Sequence, residues 1–324
     1  MRAIEFHSPV AAQLQRFVEL RRAGGSDYLA QTRLLLYFDR FLVGWPAAGP
    51  RLTREITEAY LGTLGQLRPR TRDNHLSVVR QFCEYLSRTE PRCYIPERRR
   101  GIRPQDTRRP HIYTVGEVHR LLAAAAGLPP SNALRPYTYR TLLGLLYSTG
   151  MRIGEALALN LEDFHREEQN LYVARGKFRK ARWLSLSGTA SEALGQYLEK
   201  RRHVGPGEPG GPLFLDRWDR RLGYPAVSAV FRRLLRQCGI AHHRDTGPRI
   251  HDLRHTFAVH RLLAWYRDGQ DVNARLPWLA TYLGHVDIRS TQVYLHATAE
   301  LLEQVDERFH RHYLQHVKSP GGAP

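Results

Sequence analysis

Apolar positions recur at helical spacing from Ser8 to Ser87 and predict four helices. Leu14, Phe17, Val18 and Leu20 form one face of the first, with Ser8 as N-cap, Pro9 at the first helical position and Gly24-Gly25 as the stop. The second is expected over Leu29–Leu42, closed by Gly44-Trp45-Pro46, and a shorter third follows Thr53 with Glu55 in its first turn. In the fourth, from Thr71 to Ser87, Leu76, Val79, Phe82, Cys83 and Leu86 recur on one face, while Arg70, Arg72, His75 and Arg80 gather at its start and on the other.

The periodicity lapses between Pro91 and His111, where four prolines imply extended chain. It resumes with a capping box, Thr114-Val115-Gly116-Glu117, and continues as helix from Arg135 to Leu159 with a break at Thr149-Gly150. Then the period shortens: Leu171–Ala174 and Arg182–Leu186 read as two strands around the basic turn Arg175–Lys180. A helix over Thr189–Arg202, a Gly/Pro-rich loop from His203 to Pro212 and further helices to about Val317 complete the pattern. The expected fold class is therefore α+β, mainly α, with a small antiparallel sheet. The expected division is a helical domain over 1–90, a linker over 91–111, a second domain over 112–298 and a C-terminal helix and tail over 299–324.

Charge changes the picture. Lys and Arg number 49 against 31 Asp and Glu, a formal net charge of +18, and the linker alone carries 7 − 2 = +5. A polyanionic partner follows. No apolar run of membrane-spanning length and no signal-peptide core follows Met1, so nucleic acid is preferred to a membrane surface. Cys83, Cys93 and Cys238 have neither the even number of a disulfide framework nor a C-x-x-C spacing, which suits a reducing cytoplasm. The fourth helix has the form of one that enters a major groove, with Arg70, Arg72, His75 and Arg80 toward the DNA; an ordinary solvated charged face has the same pattern. Arg98, Arg99 and Arg100 in the linker are placed to follow a phosphate backbone, or simply to hold the linker in solvent.

Six residues stand in a particular order: Arg152 after the glycine break, Lys177 in the basic turn, His251 and Arg254 in His251-Asp252-Leu253-Arg254-His255-Thr256-Phe257-Ala258, His285 in Leu283-Gly284-His285, and Tyr294 after Ser290-Thr291-Gln292-Val293. Singly each has a structural explanation. In this order and spacing they resemble the tyrosine recombinase, or phage integrase, family, which includes phage integrases and chromosome-dimer-resolving recombinases. The resemblance covers residues 113 to 298 strongly, and 8 to 88 as a four-helix pattern like the SAM-like core-binding domain of that family. It implies a site-specific DNA recombinase that cleaves and rejoins strands through a 3′-phosphotyrosine link. A double-stranded DNA site with inverted repeats is the implied partner, bound by a homotetramer in a synaptic complex or by related recombinase subunits in a bacterial cytoplasm, at the nucleoid. One departure is the interval 285 − 254 = 31 residues, longer than in compact members, so Asp268–Pro277 is expected to form an extra loop, as in recombinases of mobile elements.

The chemistry asks for the same residue types. A phosphodiester under attack gathers negative charge on its non-bridging oxygens, which paired guanidiniums answer best, here Arg152 and Arg254. A phenol, Tyr294, is the nucleophile, with His251 as general base or phosphate contact. The departing 5′ oxygen needs a proton, assigned to Lys177 with Lys180 as runner-up. His285 is expected on a phosphate oxygen, and Glu155 is placed to orient an arginine or histidine. Neither metal nor cofactor is expected. A zinc reading of His242, His243, His251 and His255 lacks the glutamate that a zinc protease helix needs after its first histidine, and Arg254 would set a fixed positive charge beside the metal. A type IB-like topoisomerase and a catalytically idle DNA-binding regulator remain as alternatives. Beyond Ala299, the stripe Leu301, Val305, Phe309, Tyr313 and Val317 is expected either to fold back on its own domain or, as the resemblance implies, to dock on a neighbouring subunit.

Overall fold

A computed structural model of the chain describes residues 5–25, 27–45, 51–97, 110–130, 133–174, 181–203, 208, 210–240, 247–285, 291 and 294. The chain divides into two compact units, 1–107 and 108–324.

The first unit consists of α1 (Ala11–Ala23), α2 (Leu29–Val43), α3 (Arg54–Thr63) and α4 (Pro69–Leu86). Phe17, Phe38, Tyr60 and Phe82 are buried at its centre among Leu14, Leu35, Leu42 and Ile56. Phe38 and Tyr60 meet edge to face with centroids 4.8 Å apart. Thr53 caps α3 by accepting the Ile56 N–H at 3.3 Å. Ser8 does not cap α1, which starts at Ala11 without a side-chain cap. Instead the backbone N–H groups of His7 and Ser8 donate to the buried Asp39 carboxylate at 2.9 and 3.0 Å, so this stretch before α1 is pinned to α2. A second correction concerns His75: it is buried, 4% exposed, and its Nδ1 shares a 2.7 Å hydrogen bond with the Tyr60 hydroxyl. Its ring lies against those of Tyr60 and Tyr37, withdrawn from the outer face on which it was expected beside Arg70 and Arg72.

The second unit opens with α5 (Val115–Ala126), where Thr114 and Glu117 form the capping box, followed by α6 (Leu134–Thr149) and α7 (Ile153–Ala158). A short antiparallel sheet comes next, in the order β1 (Phe164–His165), β2 (Asn170–Val173), β3 (Arg182–Ser185). Leu171 pairs with Leu184 facing the core, and Tyr172 pairs with Trp183 on the outer face. Then follow α8 (Gly188–Arg201), α9 (Tyr224–Gln237), α10 (Asp252–Arg267) and α11 (Val272–Leu283). The expected extra loop is the third correction: most of it is helix. Asp271 caps α11 by accepting from Asn273 and Ala274, and Pro277 lies inside the helix. Val272, Leu276, Leu279 and Leu283 are buried together with Val259 and Leu262 of α10, and that packing outweighs the proline's helix-breaking tendency. Among the described residues, no helix is long and apolar enough to cross a membrane.

Candidate active site

The site is assembled where α6, α7, α10 and α11 meet. Gly150 ends α6 with φ +61, and a Cβ there would stand 2.4 Å from the Phe257 ring and 2.9 Å from Leu283. Only glycine combines this turn with so close an approach of α10 and α11. Two residues later Arg152 takes the N-cap position of α7. Glu155, in the first turn, accepts the Arg152 backbone N–H at 3.0 Å and its Nη1 at 2.8 Å. Arg254 lies in the first turn of α10, just after His251, and is buried at 2% exposure. Its Nη1 donates to the Gly150 carbonyl and its Nη2 to the Leu283 carbonyl, both at 2.8 Å.

What gathers the guanidiniums is the end of α11. A helix C-terminus leaves carbonyls without intrahelical partners and carries partial negative charge. Here the consecutive carbonyls of Tyr282, Leu283 and Gly284 accept from Arg182 at 3.0 Å, Arg254 at 2.8 Å and Arg152 at 3.2 Å. Gly284 has φ +69, and a Cβ on it would press on the Arg182 guanidinium at 3.1 Å. Arg182 also donates to both Glu155 oxygens, at 3.2 and 2.8 Å, so one carboxylate serves two arginines.

Tyr294 is buried beside this cluster at 3% exposure. The His255 ring stands 5.4 Å from its ring and the His285 ring 6.1 Å, while His251 lies 5.2 Å from His255. His285 Nδ1 shares a 2.7 Å hydrogen bond with the buried Thr291 hydroxyl, which orients the imidazole. Asp252 accepts the Arg249 N–H at 2.9 Å and so fixes the start of α10.

Burial pushes the Arg254 guanidinium down to about 10, and the neighbouring charge of Arg152 adds to it. Burial likewise raises the Tyr294 phenol, against the pull of Arg254 and Arg152, so the resting hydroxyl is protonated at neutral pH. Desolvation, then His255 and Arg254, push His251 down to about 4 although the residue is exposed to solvent; it is neutral at pH 7. Burial also lowers His255, whose enclosed Nδ1 has no hydrogen-bond partner among the described residues. For Glu155, burial acts upward, but the hydrogen bonds from Arg182 and Arg152 prevail and keep it ionised. A guanidinium has five N–H donors, more than these anchors use, so the pair can still grip an oxyanion. A phenol, neutral imidazoles and fixed guanidiniums around one spot suit nucleophilic attack on a phosphodiester.

Arg152, Glu155, His251, Arg254, His285 and Tyr294 thus come together in one place. Lys177 and Lys180 lie outside the described residues, as do Arg98, Arg99, Arg100 and all residues after Tyr294. In the first unit, Arg70 is exposed at the start of α4 and Arg72 partly so. Arg80 bends back onto Glu84 at 2.8 Å and onto the Pro96 carbonyl. Sequence reasoning missed Arg182, although a signal was there. In β3, Leu184 faces the core, so Arg182, two positions earlier, shares its face, and an inward arginine needs a carboxylate.

Residues 113–300 match the Phage integrase family. The chain is 34% identical over 307 residues to y4rB of Sinorhizobium fredii, named as an integrase/recombinase, covering 93% of this chain and 96% of that one. It is 29% identical over 251 residues to the tyrosine recombinase XerC of Chlamydia trachomatis, covering 76% and 73%. The Tn1549 transposon integrase in complex with a circular intermediate DNA shares the fold, with a TM-score of 0.65 and 17% identity over 91% of this chain and 99% of that chain.

Proposed function

We propose, from the premise that this chain belongs to the phage integrase family, that it is a site-specific tyrosine recombinase that cleaves and rejoins DNA strands through Tyr294. Arg152 and Arg254 hold the non-bridging oxygens of the scissile phosphate and stabilise the charge of the pentacoordinate transition state. The Tyr294 oxygen forms a bond to phosphorus as the bond to the 5′ oxygen breaks. The phenol proton passes to a neutral histidine, His251 in our assignment, and His285 supports a phosphate oxygen. Lys177, or failing it Lys180, gives a proton to the departing 5′ oxygen. A 5′ hydroxyl from the other duplex then reverses these steps and exchanges the strand. No metal is needed in this scheme, because the guanidiniums carry the charge.

The observation that supports this reading most is the gathering of Arg152 and Arg254 on the end of α11 beside the buried Tyr294. The working assembly is a tetramer, of this chain alone or with related recombinase subunits, on two DNA sites with inverted repeats, at the nucleoid in the cytoplasm. The test is a nicked DNA site that lets the 5′ fragment diffuse away, incubated with the protein in excess chelator. The protein becomes covalently attached to a 3′ phosphate, and Tyr294→Phe binds the same DNA without attachment. An undiminished adduct in that variant removes Tyr294 from the role.

A further inference from the structure

Arg182 has no part in the scheme above, yet it is as firmly held as the arginines that do. Its side chain is 13% exposed and ion-paired at 2.8 Å with Glu155, which is itself 4% exposed. A carboxylate so enclosed, facing Arg152 alone at 2.8 Å, would form a neutral pair with it. An arginine neutralised in this way offers a phosphate hydrogen bonds but little net charge. With Arg182 on the same carboxylate the balance is two guanidiniums to one carboxylate, and one positive charge survives at the place where the phosphate must lie. Each Glu155 oxygen accepts from Arg182, and each also holds Arg152, Oε1 by its side chain and Oε2 by its backbone N–H. Glu155 therefore orients Arg152 while most of its charge is answered from the other side.

We propose that Arg182 is a positioning residue for strand cleavage: it offsets the charge of Glu155, so that this carboxylate fixes Arg152 without cancelling the positive charge that Arg152 brings to the phosphate. The inference rests on the cleavage reaction proposed above. Arg182 touches neither the phosphate nor Tyr294 in this scheme and acts only through Glu155 and the end of α11.

The charge argument has a signature that a merely structural role lacks. If Arg182 is there to answer Glu155, removal of the Glu155 charge must make Arg182 less necessary. Arg182→Met should slow formation of the covalent adduct by about 100-fold, as for the loss of one transition-state donor, with DNA affinity altered by less than about tenfold. Glu155→Gln keeps an oxygen for the Arg152 N–H, and adding it to Arg182→Met should restore the rate at least about tenfold. Arg182→Lys keeps the charge and should stay within about tenfold of the unaltered protein, which preserves the test if the methionine variant folds poorly. The proposal is overturned if Glu155→Gln adds its own loss to that of Arg182→Met, if lysine and methionine are equally harmful, or if Arg182→Met cleaves at the unaltered rate. Absence of adduct with the unaltered protein would instead strike at the proposed reaction, and retention of adduct in Tyr294→Phe at the nucleophile.

Discussion

In the first unit Arg70 is exposed and Arg54 pairs with Glu58 at the surface, while Arg80, partly buried, reaches along α4 to Glu84. In the second unit Arg254 is buried, and Arg152 and Arg182 are mostly enclosed. The difference lies in what holds them. A surface arginine keeps its water, and an exposed ion pair on a helix adds only about 0.3–0.5 kcal/mol. A buried guanidinium needs a replacement for its hydration shell, and the end of α11 supplies it as a row of carbonyls. The first arrangement suits long-range attraction to a polyanion; the second fixes charge at one point. Chemistry at a phosphate needs the second.

The largest effect should come from breaking the buried arrangement. Arg254→Ala should slow formation of the covalent adduct by about 10²–10³-fold. Arg254→Lys should lose nearly as much, because an ammonium cannot serve the Gly150 carbonyl, the Leu283 carbonyl and a phosphate with one flat fork. Single-turnover rates on a nicked site measure this, with DNA affinity as the control. A lysine variant at full rate would show that the fork geometry is unimportant.

Backbone geometry separates the units next. Gly150→Ala meets both a left-handed backbone and a Cβ 2.4 Å from Phe257, and should lower unfolding free energy by about 2–4 kcal/mol. Gly62→Ala, near the end of α3 with open space around the added Cβ, should be neutral or stabilise by up to about 1 kcal/mol. Denaturant melts of the two variants read the contrast directly. Equal losses would mean that α6, α10 and α11 can part at Gly150 with little cost.

Much of this is legible in the sequence, and the reasons differ by element. Local signals hold: Thr53 and the Thr114–Glu117 box cap the helices expected of them, because a cap depends on neighbouring backbone alone. The motif residues stand out by order and spacing. What escapes depends on distant partners. Ser8 has the chemistry of a cap, but Asp39 some thirty positions away holds its backbone N–H and α1 begins only at Ala11. His75 belongs to a basic face by sequence, and Tyr60 claims its ring. Pro277 has the character of a breaker, yet the apolar stripe of α11 packs around it. Arg182 reads as a strand residue until Glu155 and the Tyr282 carbonyl are seen beside it.

Acid should bring out a smaller difference. The folded pKa of His251 lies at about 4, below the ordinary 6.5, through desolvation first and then His255 and Arg254. The unfolded chain takes up a proton near pH 6.5 that the folded site refuses until about 4, so stability is fully present above 6.5 and is lost as pH falls between those values. Thermal midpoints should decline over that interval, and less steeply in His251→Gln. Because His251 is exposed and solvent screens its charge, the change should be smaller than for Gly150→Ala. Identical slopes in both proteins would assign the titration to another group.

The smallest effect belongs to the exposed arginines of α4. Arg70 is open to solvent and Arg72 partly so. If they act through the phosphate field, neutralising either leaves one DNA phosphate without its cation. The slope of log affinity against log salt should then flatten by about 0.9 per phosphate. Arg70→Gln and Arg72→Gln should each do so, while cleavage by enzyme saturated with DNA keeps its rate and the preferred site is unchanged. His75→Gln should leave the slope alone, since His75 is buried on Tyr60, and should act on stability by removing the partner of the Tyr60 hydroxyl. The triple comparison separates field from groove readout. A changed site preference without Arg70 or Arg72 would mean that α4 reads base edges, a task in which each good bidentate pair is worth about 1–3 kcal/mol. An unchanged slope in all variants would move the electrostatic attraction away from α4 altogether.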